Sequence, residues 1–271
     1  MQLIDHYSPD WVRETQAMIR GWLSREPRPY VYLLIDAAFR HETTLPVIRE
    51  LWPDKRWQSL YQDAPNTSEQ VLSVSPLLLA VDEEALGVLE AIARETTGQP
   101  MLSLIVTRES LSSLWERLAA FRFISVQSNR YVLRLTDTRR LPQIVDMLTE
   151  EQRTRLYGQA LAWWYTARDG CWRALDIDSA STTQAPGALH IIDLSEQQAK
   201  MLVDMNRTDV LIDSIRISDP ELYGAFDKPS ERYEWITQVL SETEAPIDTN
   251  AQQVECCREA AHKEGLLIGR L

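Results

Sequence analysis

Tyr30-Val31-Tyr32-Leu33-Leu34-Ile35-Asp36-Ala37-Ala38 decides the fold. The run is almost continuously apolar, too short for a buried helix and rich in β-formers, so it reads as a central strand covered on both faces. Upstream, Pro27 and Pro29 separate it from residues 11–25. There Trp11, Thr15, Met18, Ile19, Trp22 and Leu23 recur at three- and four-residue spacing, which predicts a helix with Asp10 as its N-cap. Downstream the periodicity alternates between types. Helices are expected at 45–52, at 83–95 behind Asp82, and after Ser110, with Leu111, Leu114, Trp115 and Leu118 on one face. Strands are expected at 57–61, 71–74, 77–81 and 101–106, with 66–70 as a polar connection. A hairpin is expected from 121–126 and 131–135, turning at Ser128-Asn129. Helices at 139–148 and 150–157 follow, then strands at 161–166 and 171–175 around Asp169-Gly170.

Such alternation predicts an α/β region, a mixed sheet with flanking helices, over residues 1–178. The small polar stretch Ser179–Gly187 lacks periodicity, and 179–190 reads as a linker. From 191 to 271 the pattern is helical and predicts a smaller all-helical lobe. Ser195 and Gln198 fit a capping box, and Leu194, Met201, Met205, Ile212 and Ile215 mark one face. Asp219-Pro220 and Pro229 open further helices, Thr249 and Gln252 box a last one, and Gly265 ends it.

The chain has 271 residues, 44% hydrophobic and 25% charged, which excludes a disordered or low-complexity protein. Its net charge of -12 argues against binding nucleic acid or an anionic membrane surface. The excess is uneven: residues 186–271 hold 16 acidic and 8 basic side chains, which sets the last third apart. Three cysteines, two of them adjacent, do not make a disulfide framework and favour a reducing, cytoplasmic setting. Met1 to Asp10 carries no basic stretch followed by an apolar core, so no signal peptide is expected. No apolar run approaches the ~20 residues that cross a bilayer.

Reactive constellations are not found. The four histidines are scattered, and Cys257 and His262 fall on different helical faces, so no metal is expected. There is no Gly-x-Ser-x-Gly elbow and no glycine-rich strand-to-helix loop, so neither a nucleophile nor a nucleotide cofactor is predicted. Cys171, beside Trp172, reads as a small buried residue. Asp36 stands out as a carboxylate inside an apolar strand, and reads as a strand-end residue accepting nearby N–H groups. Tryptophan is unusually frequent, with nine residues. In Trp163-Trp164 neighbouring side chains of a strand face opposite sides, so the pair packs between the two lobes or offers one ring, Trp164, to a partner.

The most informative segment is 131–164. Arg134 arrives on a strand, Asp137 and Arg139 sit in the turn after it, a helix follows, and Leu156-Tyr157-Gly158 leads to Trp163-Trp164. Arg134, Asp137 and Arg139 are expected to form a charge-assisted network that pins the strand-to-helix turn.

In these residues the chain resembles the adaptor chaperones of bacterial type VI secretion, which load toxic effectors onto the VgrG spike. That family runs aromatic-Arg-aromatic-aromatic-Asp-Pro-Arg-x-Leu, then a helix, an aromatic-Gly step and a Trp. Leu133-Arg134-Leu135-Thr136-Asp137-Thr138-Arg139-Arg140-Leu141 occupies the first part, with Thr138 for Pro and leucines for two aromatics. Tyr157-Gly158 and Trp163 occupy the second, and Asp36 in its Leu-Ile-Asp-Ala setting resembles the family's opening. The likeness spans roughly residues 29–165. It implies an α/β lobe before a variable helical one, no catalysis and no cofactor. It also implies cytoplasmic action in a Gram-negative bacterium, with an effector toxin and the spike as partners. Trp164, Met201, Met205 and Ile212 are the side chains expected to meet a partner. Two other readings remain open: an immunity or inhibitor protein that covers a toxin's active site, and a hydrolase using Asp36.

Overall fold

A computed structural model describes residues 1–64, 67–177, 191–243 and 249–267. The decisive run forms β1 (Tyr30–Asp36), and Ala37–Arg40 turns away as a short 3-10 helix. The preceding helix is α1 (Trp11–Leu23). Asp10 makes no side-chain cap there, because its carboxylate pairs with Arg13. After β1 come α2 (Thr44–Leu51) and β2 (Trp57–Ser59). The next piece corrects an expectation: Val71–Val74 is not a strand. Ser68 caps Val71 N–H and starts α3 (Glu69–Ser73), so a local cap overrides two β-branched residues. The chain continues through β3 (Pro76–Val81), α4 (Leu89–Thr96), β4 (Leu102–Thr107) and α5 (Leu111–Ala120). Asp82 and Ser110 cap as expected, although a 3-10 turn at Ala85–Val88 precedes α4.

The hairpin is β5 (Phe123–Val126) and β6 (Asn129–Val132). Its turn centres on Gln127-Ser128, one residue earlier than expected, and both have positive φ (48° and 69°). That geometry is a two-residue type I′ turn, whose twist matches the strands. Helices α6 (Leu141–Met147) and α7 (Glu150–Tyr157) follow, then β7 (Ala160–Thr166) and β8 (Trp172–Ala174).

Six strands make an antiparallel sheet in the order β2-β3-β1-β4-β7-β8. β1 is interior, with Leu33 opposite both Leu79 and Leu104, which explains its unbroken apolar run. Alternation divides the core. Val31, Leu33 and Ile35 pack with α1, α2 and α4 on one face. Tyr32, Leu34 and Trp163 pack with α5, α6 and α7 on the other. Trp163 and Trp164 therefore sit on opposite faces of one sheet rather than together between the lobes. Trp164 meets Trp22 edge-on at 5.7 Å.

The proposed linker 179–190 lies outside the described residues. Beyond it, β9 (Ile192–Asp193) runs parallel to β5, completing a second sheet in the order β6-β5-β9. Ile192 and Leu194 are buried with the α/β core. Then come α8 (Glu196–Asp204), α9 (Arg207–Ser218), α10 (Pro220–Tyr223), α11 (Pro229–Glu242) and α12 (Asn250–Lys263). Both expected capping boxes form, and Gly265 follows the last helix with φ +73°. The expected single face through Met201 and Ile215 does not, because the chain breaks between α8 and α9. Met205 packs on the α/β core, while Ile212 and Ile215 join a separate cluster built by α9 to α12.

Candidate functional site

Asp36 ends β1 almost wholly buried, and each carboxylate oxygen is engaged. Oδ1 accepts from Ala38 N–H at 3.1 Å. Oδ2 accepts from Thr136 Oγ1 at 2.8 Å and from an Arg134 nitrogen at 3.3 Å. Arg134 is thus not part of a side-chain triad with Asp137 and Arg139, and it lies beyond the end of β6 rather than on the strand. It reaches back to Asp36 and lies over the Phe39 ring at 4.7 Å. The single bond between Arg134 and Asp137 is backbone: Asp137 N–H donates to the Arg134 carbonyl.

Asp137 and Arg139 do form the expected fork. Arg139 donates Nε at 3.0 Å and Nη2 at 2.8 Å to the two oxygens, and its own N–H at 3.1 Å. Burial opposes the Arg139 charge. The Asp137 hydrogen bonds and charge outweigh it and push its pKa up. The turn is therefore pinned by two separate acid centres, Asp36 before α6 and Asp137 at its start.

A third centre was not legible in sequence. Asp209 on α9 takes Arg168 at 2.7 and 3.1 Å, Arg140 at 2.5 Å and Arg139 at 3.4 Å. Burial works against its charge, yet the Arg168 hydrogen bonds and the three guanidiniums hold its carboxyl below the usual range. Arg168 also stacks over Tyr233 of α11 at 3.4 Å, and Asp5 receives the N–H and hydroxyl of Ser230 at 3.0 and 2.6 Å. These contacts join the helices to the α/β core. Asp209 is one of many acids in the last third, so no local pattern distinguished it.

Tyr157-Gly158 also has a physical reason. Arg117, buried on α5, pairs with the equally buried Glu109 and donates to the Leu156 carbonyl. Gly158 lies against that guanidinium at φ +51°, and an added Cβ would overlap Arg117, with Cδ only 2.7 Å away. The Tyr157 hydroxyl donates to the Asp176 carbonyl at 3.0 Å, and burial pushes its pKa up to about 12. Trp163 is fully buried beneath. Glu109 and Arg117 are eight residues apart with the start of α5 between them, outside any helical spacing rule. Cys171, expected to be buried, is exposed, because the Asp169-Gly170 turn carries it to the surface.

Between the β5–β6 hairpin and α8 runs a groove of about 540 Å³. Ile124, Val126, Tyr131 and Leu133 form one wall, and Leu202, Val203 and Met205 the other, with Arg134, Arg139 and Arg140 along its end. Tyr131, Val132 and Val203 are more than half exposed, a concentration of apolar surface that is costly unless covered. Arg140 donates to the Met205 carbonyl and so fixes the end of α8 against the groove. A smaller cavity of about 240 Å³ lies beside Asp36 and Thr136. Of the four side chains expected to meet a partner, Met205 lines the large groove. Met201 is exposed elsewhere on α8, and Trp164 and Ile212 are half-buried in other clusters. Among the described residues no group of three or more acids, cysteines or histidines is arranged to hold a metal, and no helix is long and apolar enough to cross a membrane.

Residues 31–155 match DUF4123, a domain of unknown function. The DUF4123 stretch runs from β1 into α7, so it contains Asp36, Arg134, Asp137 and Arg139 and the hairpin wall of the groove. Gly158, Trp163, Asp209 and the α8 wall lie outside it. Neither the curated proteins nor the solved structures give a match to the chain.

Proposed function

We propose that this protein is a non-catalytic adaptor chaperone that holds a type VI secretion effector in the cytoplasm and delivers it to the VgrG spike. The observation that carries this reading is the groove between the hairpin and α8. It is open, walled by apolar side chains, and large enough to receive a segment of another polypeptide. The DUF4123 match covers nearly the same stretch as the likeness to the adaptor family, and supplies one of the two walls. Asp36, the acid singled out for a hydrolase, is held by Ala38, Thr136 and Arg134 and is better suited to fixing the turn before α6. Cover by apolar contact suits a carrier, which must grip its cargo and later release it.

The test is co-expression with a toxin, should an adjacent gene encode one. A stoichiometric complex that leaves toxin activity intact, and loss of toxin from the spike when this chain is deleted, are expected. A toxin that remains soluble and spike-loaded without this chain overturns the adaptor reading. A complex in which the toxin's active site is blocked assigns the chain to immunity instead.

A further inference from the structure

The hairpin sheet ends in an unpaired strand. Among the described residues β6 pairs with β5 alone, and all four of its residues are exposed. Register says which backbone groups are free. Leu133 N–H donates to the Arg122 carbonyl, so Arg122 and Leu133 form a hydrogen-bonded pair. Alternation makes Ile124 with Tyr131 another such pair, and Phe123 with Val132 and Ser125 with Arg130 the non-bonded ones. The N–H and C=O groups of Arg130 and Val132 therefore point away from β5, to the open side. An edge of this kind is a template for another strand.

The side chains along that edge carry a charge pattern. Arg130 and Val132 share one face of β6, by the period of two, and Arg134 follows two residues later, just past the end of the strand. Arg130 lies over Phe123 at 4.9 Å and forms no ion pair among the described residues. Arg134 is half exposed and touches Asp36 at 3.3 Å. A chain of net charge -12 thus presents two arginines flanking an exposed valine along the open edge of the β5–β6 hairpin. Glu196 of α8 lies at the hairpin tip, bonded to Gln127, away from Arg134.

We propose that β6 takes an extended segment of the partner by strand addition, and that this segment reads acidic-x-apolar-x-acidic. The two acids would lie opposite Arg130 and Arg134 and the apolar residue opposite Val132, since directly opposed side chains on one face interact. Intervening residues would turn toward Tyr131 and the groove. This rests on the protein-binding reading above and names the chemistry of the segment recognised.

The probe is Ser-Thr-Glu-Thr-Val-Thr-Glu-Thr-Ser-amide carrying fluorescein on its N-terminal amine, with a twin carrying Lys for both Glu and labelled at the same place, titrated with the full chain at low salt and read by anisotropy. The Glu peptide is expected to bind about tenfold tighter than the Lys twin, the product of two exposed ion pairs. Val132→Pro removes an outward N–H and no bond to β5, and proline is tolerated on an edge strand, so it should weaken the Glu peptide about tenfold with an unchanged melting midpoint. Arg130→Glu should weaken it about fivefold and decides the matter if Val132→Pro does not fold. Equal affinity for both peptides, no binding at millimolar protein, or binding indifferent to both variants overturns the proposal. So does a dimer that Val132→Pro dissolves, which would give the edge to a second copy. Toxin capture that survives both variants overturns the strand addition and leaves the adaptor reading standing; failure of the unaltered chain to capture toxin does the reverse.

Discussion

Arg168, in the turn between β7 and β8, places two nitrogens 3.1 and 2.7 Å from the two carboxylate oxygens of Asp209 on α9. This fork, joined by Arg139 and Arg140, ties the helical segment to the sheet that carries the hairpin. Removing the one acid leaves Arg140 and Arg168, both mostly buried, without that salt bridge and beside an Arg139 that keeps Asp137.

Asp209→Asn is therefore expected to destabilise the protein by about 3 kcal/mol, the cost of leaving buried charge uncompensated. Urea unfolding followed by far-UV circular dichroism measures it. A loss under about 1 kcal/mol would mean that the fork is solvated and holds little.

The same carboxylate predicts an acid response. Its folded pKa lies below the ordinary value, so its contribution is complete above the unfolded pKa of about 4 and disappears as pH falls through the lower folded one. Melting temperature should fall as the pH drops below about 4. The fall should be shallower in Asp209→Asn, and parallel slopes for the two proteins would contradict this.

Gly158 has no room for a side chain and sits at positive φ. Gly158→Ala should cost on the order of 2–3 kcal/mol, combining strain with displacement of Arg117. Gly265→Ala has similar φ but open space around it, and should cost only about 1 kcal/mol. Denaturation midpoints of the two variants separate the contributions, and equal losses would leave strain alone.

Asp36 and Thr136 are brought together from distant parts of the chain through a buried 2.8 Å hydrogen bond. Thr136→Val should cost about 1 kcal/mol and Asp36→Ala more, with a coupling of about 1 kcal/mol in the double-mutant cycle. Additive losses would show that the bond contributes nothing.

What could be read from sequence was local. β1 announced itself because a strand buried on both faces must be apolar throughout, and Ser195–Gln198 and Thr249–Gln252 because a cap is decided within four residues. Val71–Val74 misled because β-branched residues mimic a strand, and nothing apolar signals that Ser68 has already begun a helix. The site was less legible. Asp137 and Arg139 are near neighbours and were foreseen together. Arg134 finds Asp36, Arg117 finds Glu109 and Asp209 gathers three arginines only because the tertiary structure brings them close. Exposure of β6 was equally hidden, since Tyr131 and Val132 look like ordinary core residues of a hairpin.

The large groove has walls of different origin. The hairpin side lies within the DUF4123 stretch and is locked into a sheet, whereas Leu202, Val203 and Met205 ride on α8, outside that stretch. Changes on α8 can therefore resize the opening while the sheet stays as it is, so a single helix sets the width of the groove without disturbing the hairpin.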